Sequence, residues 1–358
     1  MNYKLSIIIP TYNAENYLLE AVNSIKNQSL GFENIEIILV DDNSSDNTKA
    51  ILKELAQEHE NVKSIFLNDN SGTASQPRNV GIENASSPYI MFLDNDDIYY
   101  PKMCEEMYNA INDNDVDVVS CRYDINGKIP NSFLDNFNPE KYDFKGKYDN
   151  EKDIIYLDSV EDFPNIMTLG HPTMIWTKIF RKSFILENNI QFPKGDLYED
   201  VFFCAKAYLN AKGIIILNDF LGYGYQLRTE GEDKSTCQIF SKSMLQKQLR
   251  GFLKIMDLLK NETPRHSLAS LCGSLVAQPM QGGVLHGCFS SSSLCSPAAS
   301  GKGLCSPLVP TSEAFGALAF VRAQRGVLGA CDHSKKTACP KNCPGSLSPQ
   351  LADPTSEI

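Results

Sequence analysis

The densest run of reactive side chains is Asp94-Asn95-Asp96-Asp97, which follows directly on the apolar residues 89–93. Three carboxylates within four residues repel one another unless a cation or strong donors neutralise them. Hard oxygen ligands at a strand end suit Mg2+ or Mn2+ shared with the phosphates of a substrate. A solvated acidic turn is the plain alternative, because turns also favour Asp and Asn.

Three further clusters follow apolar segments. Pro10-Thr11-Tyr12-Asn13 succeeds residues 5–9, and Asp41-Asp42-Asn43-Ser44-Ser45-Asp46 succeeds residues 35–40. A carboxylate there can accept a base N–H or a ribose hydroxyl, or Asp42, Ser44 and Ser45 simply cap a helix. The small-residue stretch 71–81, SGTASQPRNVG, leads into a helix with Pro77 near its first turn. Backbone amides there can approach phosphate, and Arg78 can pair with a diphosphate or a base carbonyl. Lastly, Glu199 and Asp200 open a segment whose apolar residues follow at helical spacing. A helix N-terminus stabilises a carboxylate in its ionised form, as a general base requires, although a helix-dipole pair has the same spelling.

The elements that must carry these clusters alternate between strand-like and helix-like patterns up to about Lys260, which predicts an α/β domain with a doubly wound, mostly parallel sheet flanked by helices. Leu18, Ala21, Val22 and Ile25 fall at i, i+3, i+4 and i+7, giving a helix with one face on the sheet. Ser45 stands where it would cap a helix carrying Ile51, Leu52 and Leu55. Strands are expected at 5–9, 35–40, 62–67, 89–93, 116–121 and 214–217, an ordered segment resumes at 173–180, and helices are expected from Pro77 and Pro101, through 198–211 and at 242–260. Residues 124–165 are rich in Asn, Asp, Lys, Gly and Pro and read as a long surface insertion near the active side of the sheet. In an open parallel sheet, ligands bind at the carboxyl ends of the strands, where all the clusters fall.

The chain has 358 residues and a formal charge of -11, so it has no overall basic footprint for nucleic acid, and an anionic ligand must be held locally. No run of 18 apolar residues occurs and no signal peptide is recognisable, so a cytoplasmic location is expected. Composition breaks near Pro264: residues 1–263 carry all 15 tyrosines, while 264–358 hold 7 of the 11 cysteines. Residues 1–263 are therefore read as the folded domain. Residues 264–358 are read as a low-complexity, disordered tail foreign to it. Cys331, His333, Cys339 and Cys343 match no common zinc spacing, and an odd cysteine count in a reducing compartment gives no disulfide framework.

Taken together and in order, SIIIPTYN, ILVDDNSSDNT, SGTASQPRNVG, YIMFLDNDDIYYP and LYEDVFFCAKAY strongly resemble the family-2 inverting glycosyltransferases, which share the GT-A fold. WTKIFRKSFILENNIQFP supports the match, which covers residues 5 to about 227. The resemblance implies a donor half at about 1–123, an acceptor half at about 124–240 and a closing helix at about 242–260. It implies that Asp94-Asn95-Asp96 is the D-x-D motif, with Asp96 and Asp94 as ligands of Mn2+ or Mg2+. It implies that Pro10, Tyr12, Asp42 and Arg78 hold the nucleotide of a UDP-sugar, that Asp200 is the catalytic base and that Glu199 supports the acceptor. Within the family, GTASQPRNVG, EDVFFCAKAYLNAKG and RTEGEDKST are similar to the N-acetylglucosaminyl transferases that decorate wall teichoic acid, which implies that Arg228, Glu230 and Glu232 lie over the donor. The implied acceptor is a cell-surface glycopolymer or its lipid-linked precursor: wall teichoic acid, capsule or exopolysaccharide. Peripheral contact with the inner face of the plasma membrane goes with it.

Other features are read blandly. His171-Pro172 is a turn, Trp176 sits in the core among Ile175, Ile179 and Phe180, and Cys104, Cys121, Cys204 and Cys237 are small apolar side chains. Two competing functions are kept: a catalytically inactive nucleotide-sugar-binding module, and a phospho-acceptor receiver, whose acidic pair would end the first strand rather than the second.

Overall fold

The computed structural model describes residues 2–132, 134–167, 174–228 and 241–262. The predicted tail 264–358 and its cysteines, His171-Pro172, Glu230, Glu232 and Cys237 lie outside the described residues.

Among the described residues, ten strands form one mixed sheet in the order β3-β2-β1-β4-β9-β6-β10-β8-β7, with β5 paired to β10. Strands β1 (Leu5–Thr11) and β2 (Ile35–Asp41) are buried along their whole length, as strands covered on both faces must be. β1 pairs in parallel with β2 on one side and with β4 (Tyr89–Phe92) on the other, while β3 (Val62–Phe66) lies beyond β2. The chain therefore moves outward from β1 through β2 and β3 before crossing back to β4. The topological switch falls between β1 and β4, which opens a crevice at their carboxyl ends.

Helix α1 (Leu18–Lys26) buries Leu18, Ala21, Val22 and Ile25, as its spacing predicts. Helix α2 (Thr48–Glu58) starts later than a Ser45 cap would require. Asn43 turns the chain at φ 60°, Ser45 is drawn off to the Asn13 side chain, and Asp46 accepts the Thr48 N–H instead. Helix α3 (Ser75–Asn84) packs against β1 so closely that a Cβ on Gly81 would lie 2.3 Å from Ile8 Cγ2. Helix α4 (Met103–Asn112) starts two residues after Pro101, behind the short β5 (Ile98–Tyr99).

The second half departs further from expectation. β6 is Val118–Ile125, and the ordered segment expected at 173–180 contains a 3-10 turn at Ile175–Thr177 followed by β9 (Lys178–Arg181). β9 is antiparallel to both β4 and β6 and fills the gap between them. The 124–165 segment is not only a surface insertion: β7 (Lys147–Asp149) and β8 (Ile154–Leu157) extend the sheet, and Phe137 stacks on Tyr142 and meets Phe163 edge-on in a small aromatic cluster. β10 runs from Ile214 to Tyr225, well past the predicted 214–217, because register shifts around Leu221 let the strand continue beyond Asn218-Asp219. Helices α5 (Lys182–Glu187), α6 (Glu199–Asn210) and α7 (Lys242–Glu262) complete the described chain.

Candidate active site

The crevice between β1 and β4 is lined by the two clusters the sequence puts there. Asn95 Nδ2 donates to the Pro10 carbonyl at 3.0 Å, tying the ends of the two strands together. Tyr12, half exposed beside it, offers an open aromatic face. Asp42 is buried and already engaged: its carboxylate accepts the Ser71 N–H at 2.9 Å and the Ser71 hydroxyl at 3.0 Å. Asp42 thus anchors the loop before α3 and leaves no open acidic pocket of the receiver kind at the end of β2.

Arg78 is the hub. It lies buried on the first turns of α3, with its guanidinium 5.4 Å from the Phe192 ring centroid. Nη2 donates to Asp94 at 2.7 Å and Nη1 to Glu199 at 3.2 Å, so one planar fork joins the carboxyl end of β4 to the N-terminus of α6. Burial disfavours its charge, but Asp94, Glu199 and Asp200 outweigh that and hold it protonated more firmly than an ordinary arginine.

The acidic run divides into distinct roles. Asp94 pairs with Arg78, and Asp96, only partly exposed, pairs with Arg228, whose guanidinium also sits 4.5 Å from the Tyr17 ring centroid. Burial, reinforced by Asp94, raises the Asp96 carboxyl above its ordinary range against the pull of Arg228. Asp97 is fully buried and has other partners, accepting from the Tyr223 hydroxyl at 2.6 Å and the Gln226 N–H at 2.7 Å. Burial, with Asp94 and Asp96 nearby, pushes it up to about 8. Strong donors therefore meet all three carboxylates of the run. Among the described residues no group of three or more His, Cys, Asp or Glu gathers to hold a metal alone. A divalent Mg2+ uses one or two carboxylates and fills its remaining positions with water and substrate phosphates. Asp94 and Asp96, each engaged by an arginine, offer at most one or two carboxylates to such a cation, and the described residues form no cage of their own.

Glu199 and Asp200 form the first turn of α6, as predicted. Burial, with Glu199 beside it, pushes the Asp200 carboxyl up to about 7 against the pull of Arg78. Its Oδ1 accepts the Val201 N–H at 2.8 Å. Tyr198, the residue before the pair, has φ 65°. That left-handed conformation is strained in a bulky residue and persists only where the surroundings impose it.

Tyr17 and Tyr223 carry no readable signal in the sequence, while Ser71 and Phe192 fall in stretches it singles out but with contacts it does not reveal. Lys178 is fully buried, its ammonium donating to the Met174 carbonyl at 2.6 Å and the Thr177 hydroxyl at 2.9 Å, and burial lowers it from the usual lysine range. Trp176 is buried, with its ring stacked 4.1 Å from that of Tyr223. Cys104, Cys121 and Cys204 are free and buried.

This arrangement has relatives. The model of Glycosyl transferase family 2 matches residues 6–182. The chain is 34% identical over 239 residues to the poly(ribitol-phosphate) beta-glucosyltransferase of Bacillus spizizenii, a match covering 66% of this chain and 34% of that protein. It is 30% identical to glycosyltransferase GlyG of Streptococcus pneumoniae over 73% of this chain and 88% of that one. The crystal structure of S. aureus TarS 1-349 in complex with UDP-GlcNAc superposes with a TM-score of 0.59 at 28% identity, covering 77% of this chain and 72% of that chain. The mixed, mostly parallel sheet flanked by helices is thus the GT-A fold of TarS. The chain spans about a third of the length of the first curated relatives it matches, at 34% and 38%. With the family's model matching 6–182 and a 30% identical relative covered over 88% of its length, the chain belongs to glycosyl transferase family 2.

Proposed function

We propose that the protein is an inverting glycosyltransferase that moves a hexose or N-acetylhexosamine from a UDP-sugar to a hydroxyl of a cell-surface glycopolymer of the poly(ribitol phosphate) kind. The observation that carries this reading is the Arg78 fork, which sets a candidate base on α6 at a fixed place relative to the acids at the end of β4. Relatives named as poly(ribitol-phosphate) glycosyltransferases and the TarS complexes with UDP-GlcNAc and UDP support the choice of acceptor and donor.

On this reading Tyr12 stacks on the uracil, Pro10 and Asp42 shape its pocket, and Asn95 and Arg228 border the diphosphate and sugar. Asp96, with Asp94, would hold a Mn2+ or Mg2+ ion. When bound, the ion neutralises charge that builds on the leaving group. Asp200 takes the proton of the acceptor hydroxyl, and that oxygen forms the new bond to the anomeric carbon as the bond to UDP breaks on the opposite face. Glu199, held by Arg78, orients the acceptor. A base near 7 is matched to work at neutral pH. The reaction takes place in the cytoplasm, against the inner face of the plasma membrane. No helix among the described residues is long and apolar enough to cross a membrane.

Calorimetric titration of the full chain with UDP, with and without Mn2+, tests the donor half of this proposal. Binding that strengthens with Mn2+ is expected; a folded protein that takes up no UDP under either condition contradicts it.

A further inference from the structure

Helix α7 reaches the active site without supplying a reacting group. Lys247, Arg250, Gly251 and Lys254 are spaced i, i+3, i+4 and i+7, so they share one face. At one end Lys247 Nζ donates to the Gly72 carbonyl at 3.3 Å, in the loop that Asp42 anchors. At the other, Arg250 Nε and Lys254 Nζ lie 2.6 Å and 2.7 Å from the two oxygens of Asp196. Asp196 itself is buried; burial would raise its carboxyl, but the hydrogen bonds from Lys254 and Arg250 keep it below the usual carboxylate range.

Between these contacts Gly251 lies directly on the chain that leads to the catalytic pair. A Cβ there would fall 1.8 Å from the Leu197 carbonyl oxygen and 3.0 Å from its carbon. The next residue is Tyr198 with φ 65°, followed by Glu199 and Asp200. Anchoring α7 to the domain does not explain this closeness, because Ile255, Leu258 and Leu259 already bury the following turns. Glycine in a helix interior also costs about 1 kcal/mol relative to alanine. Arg250 and Lys254 are themselves about half exposed, so their ion pairs are screened and the backbone contact must carry most of the geometry.

We propose that α7 is a strap over the acid turn: Gly251, together with the Arg250 and Lys254 grip on Asp196, holds the left-handed bend at Tyr198 and so aims Asp200 at the acceptor. Asp196 and Gly251 are then positioning residues. The proposal rests on the reading of Asp200 as the base.

The test uses the full chain, UDP-GlcNAc and poly(ribitol phosphate), with Gly251→Ala and the double variant Arg250→Gln/Lys254→Gln. Displacing the base by an ångström costs about 10²-fold. Gly251→Ala is expected to lose about that much kcat while UDP binds within about threefold of the unsubstituted protein, since the clash spares the donor pocket. The double variant is expected to lose about tenfold, having no backbone clash. In both, the acid limb of the kcat profile moves to lower pH, because a loosened turn admits water to Asp200. The proposal is overturned by an unchanged kcat and acid limb in Gly251→Ala, or by a loss of kcat that only tracks the loss of folded protein. Should Gly251→Ala yield no folded protein, the double variant decides by the same criteria. If the unsubstituted chain transfers no sugar, the functional reading fails separately. The strap is then judged from the carboxyl 13C titration of Asp200, and a titration identical in the variants sinks it.

Discussion

Nη2 of Arg78 lies 2.7 Å from Oδ1 of Asp94, across 16 residues of sequence, while Nη1 of the same side chain reaches Glu199, 121 residues away. The acids at the end of β4 and those at the start of α6 are therefore not independent clusters. They share one buried cation.

Replacing Arg78 with Ala leaves Asp94, Glu199 and Asp200, all partly buried, close together without their common partner. Breaking a buried pair from one side costs about 3–5 kcal/mol, and the expected result is a clearly lowered denaturation midpoint together with weakened UDP binding. Arg78→Lys should rescue little, because a single ammonium cannot reproduce the planar fork. Chemical denaturation and UDP titration of both variants check this.

Asp200→Asn should reduce turnover by about 10²–10⁴-fold while leaving UDP affinity within about threefold. Because the base works only when unprotonated, kcat should fall about tenfold per unit of pH below about 7. The sign for stability follows from the same shift. A carboxyl raised in the folded state binds more protons there than in the unfolded chain between about pH 4 and its folded value, so stability falls as pH rises through that window. Melting curves from pH 5 to 7 should slope downward more in the unsubstituted protein than in Asp200→Asn.

Asp97 stands in the acidic run but serves the fold. Asp97→Ala would strand the Tyr223 hydroxyl and the Gln226 N–H, with a loss of about 1–3 kcal/mol. Asp97→Asn retains an acceptor and should lose less. Equal losses in the two variants, measured by denaturation, would contradict this assignment.

Asp96→Ala should remove the dependence of UDP binding on Mn2+ and leave only the weaker metal-free binding. Chelation should bring the unsubstituted protein to the same level. Calorimetry with and without EDTA checks both; if Mn2+ strengthens binding equally in Asp96→Ala, the ion is held elsewhere.

How much of this could be read from the sequence depended on range. The strand ends carrying Pro10, Asp42 and Asp94, the buried stripe of α1 and the acidic start of α6 follow from local periodicity. The insertion of β9 between β4 and β6 does not, because antiparallel pairing across some 90 residues leaves no mark in either strand's pattern. β10 was hidden by Asn218, Asp219 and two glycines, which spell a turn but here lie in an irregular stretch of one strand. Asp42 reads from the sequence as a ligand or a cap, and the 71–81 loop is legible as a separate stretch. The hydrogen bond that ties them, from Ser71 across 29 residues, leaves no local mark in either.

The most direct test of the whole account is the anomeric configuration of the product. With a UDP-α-sugar donor, Mn2+ and poly(ribitol phosphate), the account predicts a β-linked product by 1H NMR, formed by the unsubstituted chain and absent with Asp200→Asn. An α-linked product, or undiminished transfer by Asp200→Asn, would contradict single displacement with Asp200 as its base.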